Sequence, residues 1–112
     1  MKHEMKLNNT PFINIKNGTK TIELRLNDEK RRLLKKDDLI EFTNRETNEK
    51  IIVKIINIYK YPSFEELYNH FDKVSMGYKI DEVANPKDME IYYSKEEQDK
   101  YGVLAIEINT VK

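Results

Sequence analysis

Lys20, Glu23 and Arg25 fall in one short segment between Gly18 and Leu26. Lys20 stands where a helix end meets a strand start. There it can bind a phosphate or a carbonyl oxygen as a compact cation. If buried, its pKa falls and it becomes a base or a nucleophile. Glu23 and Arg25 share one face of a strand, about 7 Å apart along the chain. Glu23 can accept from a base amino group, and Arg25 can bind phosphate or stack on a base. The bland alternative is a solvated Lys beside a surface ion pair worth at most about 1 kcal/mol. A second charged group, Lys30, Arg31, Arg32, Lys35 and Lys36, can carry a phosphate backbone. The same group also reads as a solvated helical turn. Tyr59, Tyr61, Tyr92, Tyr93 and Tyr101 offer base-stacking rings, or core packing with a wet hydroxyl. Ser94 offers either a helix cap or a pocket hydroxyl.

The elements that must position these residues follow from local pattern. Thr10, Pro11 and Gly18 bracket a short helix, with Thr10 as cap and Pro11 at the first helical position. Gly18 ends it in a left-handed conformation. Phe12 and Ile15 share its inner face. Ile22, Leu24 and Leu26 alternate with Thr21, Glu23 and Arg25, the period-2 signature of a half-buried strand. Asn27 and Asp28 cap a helical turn through Leu33 and Leu34. Asp37 and Asp38 turn the chain into a strand at 39–43. A polar hairpin at 44–50 leads into the β-branched, aromatic strand 51–61. Pro62 stops it. Ser63 and Glu66 form a capping box for a helix through Phe71. A turn with Gly77 as its break covers 72–81. Asn85 and Pro86 start another helix. Ser94 and Glu97 start one more, and an apolar strand at 102–108 closes the chain. The order is helix, strand, short helix, two strands, a helical insert and a last strand. That is α+β, one domain over 1–112, with few enough strands to curl into a small open barrel.

Composition narrows the functions available. There is no cysteine, which removes disulfide scaffolds, zinc ribbons and thiol nucleophiles and suits a reducing, cytoplasmic setting. Twenty basic residues balance twenty acidic ones, so the chain does not coat nucleic acid by bulk charge, although a local basic cleft remains open to it. The charged fraction is 36%, but seven Tyr and four Phe supply core material that disordered chains lack. No apolar run suits a membrane span, and the polar start, Lys2 to Lys6, does not read as a signal peptide. His3 and His70 stand apart from any metal-ligand spacing, and no glycine-rich phosphate loop exists. No metal or cofactor is expected.

Gly18-Thr-Lys-Thr-Ile-Glu-Leu-Arg25, Asp28-Glu-Lys-Arg31 and Lys36-Asp-Asp-Leu-Ile-Glu-Phe42 together resemble the signature of the ASCH domain family. These are small domains with a PUA-like fold. Tyr92-Tyr-Ser-Lys-Glu-Glu97 and Tyr101-Gly-Val-Leu-Ala-Ile106 are similar to the family's closing helix and strand, so the likeness spans nearly the whole chain. Many members carry Gly where this chain has Asp37, a residue that tolerates left-handed turns. The resemblance implies a pocket lined by Lys20, Thr21, Glu23 and Arg25, with Ser94 as a further ligand hydroxyl. It implies binding of RNA, with Lys30, Arg31, Lys35 and Lys36 on the phosphates. One bacterial branch is similar to an amidohydrolase acting on N4-acetylcytidine, which pairs the motif Lys with a Thr three residues on and a distant Glu. Lys20 matches that Lys. Glu23 occupies the Thr position and would be its catalytic partner here, while Asp81 and Glu82 are candidates for the distant carboxylate by position.

Three functions therefore stand side by side. The first is an RNA- or nucleotide-binding module with its pocket on the Gly-x-Lys-Thr-x-Glu-x-Arg motif. The second is a small amidohydrolase of acylated cytidine, with Lys20 and Glu23 catalytic. The third is a protein-interaction module.

Overall fold

The computed structural model describes residues 1–111. Five strands form one sheet: β1 (Lys2–Leu7), β2 (Ile22–Leu26), β3 (Leu39–Asn44), β4 (Lys50–Tyr61) and β5 (Val103–Thr110). The spatial order is β1-β3-β4-β5-β2. β1 runs parallel to β3, and every other pairing is antiparallel. The mixed sheet curls into a half-barrel, the α+β architecture expected. Its two edges, β1 and β2, are bridged by a side chain: Arg25 Nη2 donates to the Lys6 carbonyl at 3.2 Å.

β1 was not expected from the sequence. Lys2, Glu4 and Lys6 point outward, and only Met5 and Leu7 are buried. The strand exists because its backbone pairs with β3 across 36 intervening positions, from Lys2 opposite Leu39 onward. Propensity does not report such a pairing.

Helix α1 (Asn9–Lys16) connects β1 to β2 and buries Phe12 and Ile15 as anticipated. Its N-cap is Asn8 rather than Thr10, so Pro11 lies within the first turn and not at its first position. Gly18 has φ +86°, the left-handed exit foreseen. Asp37 has φ +75°, so the turn before β3 keeps the conformation that glycine would give it. A 3-10 turn at Arg31–Leu33 lies in the β2–β3 link.

Helix α2 (Phe64–Leu67) is shorter than the helix expected through Phe71. Ser63 Oγ accepts from the Glu66 amide, half of the anticipated capping box. A 3-10 segment, Pro86–Ile91, is capped by Asn85, and helix α3 (Lys95–Tyr101) carries a complete box between Ser94 and Glu97.

Two apolar layers result. The concave face holds Met5, Leu7, Ile40, Phe42, Val53, Ile55, Leu104, Ile106 and Ile108, closed by Phe12, Ile15 and Leu34. The other face of β2 and β5 packs Ile22, Leu24, Leu26, Val103 and Ala105 against Phe64, Leu67 and Met76. A β-bulge between Ile55 and Asn57 decides which residues of β4 face where. An uninterrupted strand would continue the inward series Val53, Ile55 with Asn57, Tyr59 and Tyr61. The bulge inverts the parity. Ile58 joins the concave layer, and Tyr59 and Tyr61 turn to the second layer. Tyr93 and Tyr101 pack there too, whereas Tyr92 is exposed.

Candidate functional site

β2 was expected to be half-buried, with Glu23 and Arg25 on its wet side. Instead Ile22, Glu23, Leu24 and Leu26 are all buried. Glu23 lies opposite Ile106 and Arg25 opposite Leu104, so both charges point to the concave face of the curled sheet. A solvated surface pair is therefore ruled out by the curl, which turns the polar side of the alternation inward.

The three motif charges form one chain. Lys20 Nζ lies 3.2 Å from Glu23 Oε1. Glu23 Oε2 accepts from Arg25 Nε at 3.0 Å and Nη2 at 2.8 Å. Lys20 Nζ also donates to the Met76 carbonyl at 2.9 Å, and Arg25 Nη2 continues to the Lys6 carbonyl. Burial alone would push the Glu23 carboxyl up. Lys20 and then Arg25 outweigh it and hold the group below the ordinary carboxylate range. Burial likewise works against the Arg25 charge, and Glu23, helped by the Tyr93 phenol, raises its pKa above the ordinary value.

The turn at 72–78 is the lid on Lys20. The Ser75 carbonyl accepts from both the Thr21 and Ile22 amides, at 2.9 and 3.0 Å. Gly77 has φ +110°, and a Cβ there would meet Lys20 Cδ at 3.2 Å. The backbone can lie this close to the lysine stem only because residue 77 is glycine. Lys20, with 7% of its surface exposed, is thus committed to Glu23 and Met76. The hollow beside it, between Gly18, Lys20, Thr21 and Ile108, has a volume of about 70 Å³. Ligand pockets for small molecules start at about 300 Å³. Thr21 is half-buried, and its backbone is spent on Ser75 and Ile108. Ser94 is the α3 cap, its Oγ accepting from the Glu97 amide at 3.1 Å. Asp81 is exposed, and Glu82 accepts from the Lys79 amide.

A larger cavity, about 330 Å³, opens at the mouth of the curled sheet. It lies between the 27–36 link and the β4–β5 pair, and five of its lining residues are Arg31, Arg32, Lys35, Lys36 and Lys60. No carboxylate lines it. Asp28 stands just outside and fixes Arg31, accepting from its Nη1 at 2.8 Å. Lys35, Lys36 and Lys60 make no ion pair among the described residues. Of the basic residues named from sequence, Arg31, Arg32, Lys35 and Lys36 converge here and Lys30 does not. Lys60 and Asn57 were missed. Only the bulge brings Lys60 to this face, and no residue of 55–57 advertises it. Arg25, Leu104 and Lys60 then lie in one cross-strand row, which sets the motif strand beside the mouth.

Among the described residues there is no group of His or acidic side chains able to hold a metal ion, and no helix is long and apolar enough to cross a membrane.

Comparison with known proteins follows the same lines. The sequence matches the model of the ASCH domain over residues 5–112. A crystal structure of the hypothetical protein PH0355 is 36% identical, aligns over 99% of this chain and 100% of its own, and superposes with a TM-score of 0.84. The solution structure of protein PF0455 from Pyrococcus furiosus is 34% identical over 100% and 99% of the two chains, with a TM-score of 0.72. The ASCH domain from Lactobacillus crispatus is only 14% identical but shares the fold, with a TM-score of 0.65 over 97% of this chain and 79% of that one. No curated protein matches the sequence. Motif, topology and matched length agree, and the chain belongs to the ASCH domain family, with the PUA-like fold.

Proposed function

We propose that this ASCH domain binds single-stranded RNA or a nucleotide at the mouth of its curled sheet. One observation carries the reading. In a chain whose charges sum to zero, five cations and no carboxylate surround the 330 Å³ cavity. At the chain's overall composition a lining of ten residues would carry about two cations and about two acids, not five and none. Segregated positive charge beside a concave, partly apolar floor of Leu34, Ile58 and Leu104 suits a phosphate chain with a base or sugar resting on it. Lys35, Lys36 and Lys60 supply point charges on flexible stems, and Arg31, braced by Asp28, supplies a fixed one. Lys20 and Glu23 serve in this reading as the frame that holds Arg25 and β2 beside the mouth.

The amidohydrolase reading asks for a lysine free to act on an acyl group. Lys20 is instead hydrogen-bonded to a carbonyl and paired with Glu23, in a hollow too small for a nucleoside. The test covers both. Fluorescence anisotropy with labelled single-stranded RNA should give a log K that falls linearly with log salt, and Lys35→Ala, Lys36→Ala and Lys60→Ala should each flatten the slope by about 0.7. Purified protein should release no acetate from N4-acetylcytidine. Absence of salt-dependent binding rejects the proposal, and acetate release abolished by Lys20→Ala selects the enzyme.

A further inference from the structure

The mouth gathers more positive charge than one passing nucleotide can match. Arg31, Arg32, Lys35, Lys36 and Lys60 line a cavity of about 330 Å³. That volume is near the lower limit for ligand pockets, about 300–1,000 Å³. Sites that track a single strand are grooves, and they spread their cations over about 4–16 nucleotides. Here five cationic residues surround one small hollow. Arg31 has a counter-charge in Asp28, 2.8 Å away. Arg32, Lys35, Lys36 and Lys60 make no ion pair among the described residues. An internal nucleotide brings a single negative charge and leaves most of these cations crowded and unmatched.

The cations come from two pinned segments. The 27–36 link is fixed by its own backbone: the Arg32 amide donates to the Asp28 carbonyl at 3.0 Å, and the Leu34 amide to the Arg31 carbonyl at 3.1 Å. Lys60 arrives from β4 beyond the bulge. Like charges held together in this way destabilise the empty protein, and a ligand relieves the repulsion in proportion to the negative charge it brings. The flexible lysine stems let the ammonium groups close round it. The hollow is also blind. Leu34 and Leu104 at its floor are buried and belong to the concave apolar layer. A chain end enters such a hollow with less bending than the middle of a chain does.

A terminal phosphate meets both conditions. It carries about two negative charges at neutral pH and offers three strong acceptor oxygens, where a phosphodiester carries one charge. We propose, resting on the binding assigned to this cavity above, that the mouth receives a terminal phosphate, either the phosphorylated end of an RNA or the phosphates of a free nucleotide, and discriminates against internal phosphodiesters.

Isothermal titration calorimetry at one salt concentration tests this with uridine decamers bearing a 5′-phosphate or a 3′-phosphate, a dodecamer with hydroxyls at both ends, and uridine 5′-triphosphate. The dodecamer carries about the same total charge as a phosphorylated decamer, so the comparison isolates the terminal group from bulk attraction. One of the phosphorylated decamers should bind about tenfold more tightly than the dodecamer if RNA ends are the source, the factor expected for added charge-assisted hydrogen bonds. The triphosphate should hold that advantage if free nucleotides are the source. The advantage of a phosphorylated decamer should shrink at about pH 5, where the terminal phosphate takes up its second proton. It should collapse toward one in the triple variant Lys35→Ala, Lys36→Ala, Lys60→Ala, whose substituted side chains are all exposed. The proposal is overturned, with nucleic-acid binding left in place, if neither phosphorylated decamer nor the triphosphate outbinds the dodecamer. An advantage that survives the triple variant overturns it too, because the phosphate would then sit elsewhere. Failure of every ligand to bind rejects the parent reading itself.

Discussion

Replacing Lys20 by Met tests whether the motif charges are a structural frame. Methionine keeps the length of the stem that packs under Gly77 and removes only the ammonium. At 3.2 Å, the Lys20–Glu23 separation, two unit charges attract by roughly 5 kcal/mol at an effective dielectric of about 20. The cost of drying the ammonium offsets much of that gain. What the substitution measures is different: it leaves Glu23 buried with one cation instead of two, and the Met76 carbonyl without its donor. Breaking a buried pair from one side costs about 3–5 kcal/mol. Arg25 still holds Glu23 through two hydrogen bonds, so the lower end, about 3 kcal/mol, is expected. Urea denaturation of Lys20→Met, Glu23→Gln and the double variant measures this. The double-variant cycle should show a coupling above about 1 kcal/mol, because the residues touch.

The acid side supplies an independent sign. The folded-state pKa of Glu23 is lowered, so its ionisation adds stability above the unfolded value, near 4.5, and that stability is lost as pH falls through the folded value below it. Lys20→Met removes one cause of the lowering. Its cost should be full at neutral pH and shrink in acid, as Glu23 becomes protonated and Lys20 no longer has a carboxylate to neutralise. A loss below about 1 kcal/mol at pH 7, or a loss independent of pH, refutes the frame argument. Abolished RNA binding by a variant of unchanged stability would do so too, since it would make Lys20 a ligand residue.

Gly77→Ala places a Cβ at φ +110° and 3.2 Å from Lys20 Cδ, and should cost about 1–3 kcal/mol, read as a fall in Tm. Ser94→Ala should cost about 1 kcal/mol by removing the α3 capping box and should leave RNA affinity unchanged, which separates the cap from a pocket hydroxyl.

Local chemistry made much of this molecule legible. Gly18, Asp37, Ser94 with Glu97, and the apolar strand before Ile108 each announce themselves through a backbone preference or a side-chain bond to a neighbour a few residues away. The features that escaped depend on distant partners. β1 is a strand because β3 accepts it, and its own residues are mostly charged. The Glu23–Arg25 face is buried because the sheet curls, and alternation cannot distinguish a wet face from an inward face lined with paired charges. Tyr59 and Lys60 exchange roles at the Ile55–Asn57 bulge, where one extra residue moves a tyrosine out of the concave face and a lysine into it. The motif therefore marked the strand that lies beside the cavity, and the basic cluster at 31–36 marked residues of the cavity wall. The cavity between them needed the bulge, which no residue type marks.

Arg25 joins the two halves of the argument. Its guanidinium ends the Lys20–Glu23 chain, ties β2 to the Lys6 carbonyl of β1, and stands in the same row as Leu104 and Lys60 at the mouth. A point charge cannot do this. The fork lets Nε and Nη2 meet one carboxylate oxygen while Nη2 also reaches the far edge of the sheet. Arg25→Lys keeps the charge and loses the fork, so it should cost about 2 kcal/mol of stability through the lost charge-assisted bonds. The salt slope of RNA binding should not change, because the number of cations facing the phosphates is the same. A slope reduced by about 0.7 with stability intact would mean that Arg25 holds phosphate rather than the seam of the half-barrel, and the division between frame and mouth would have to be redrawn.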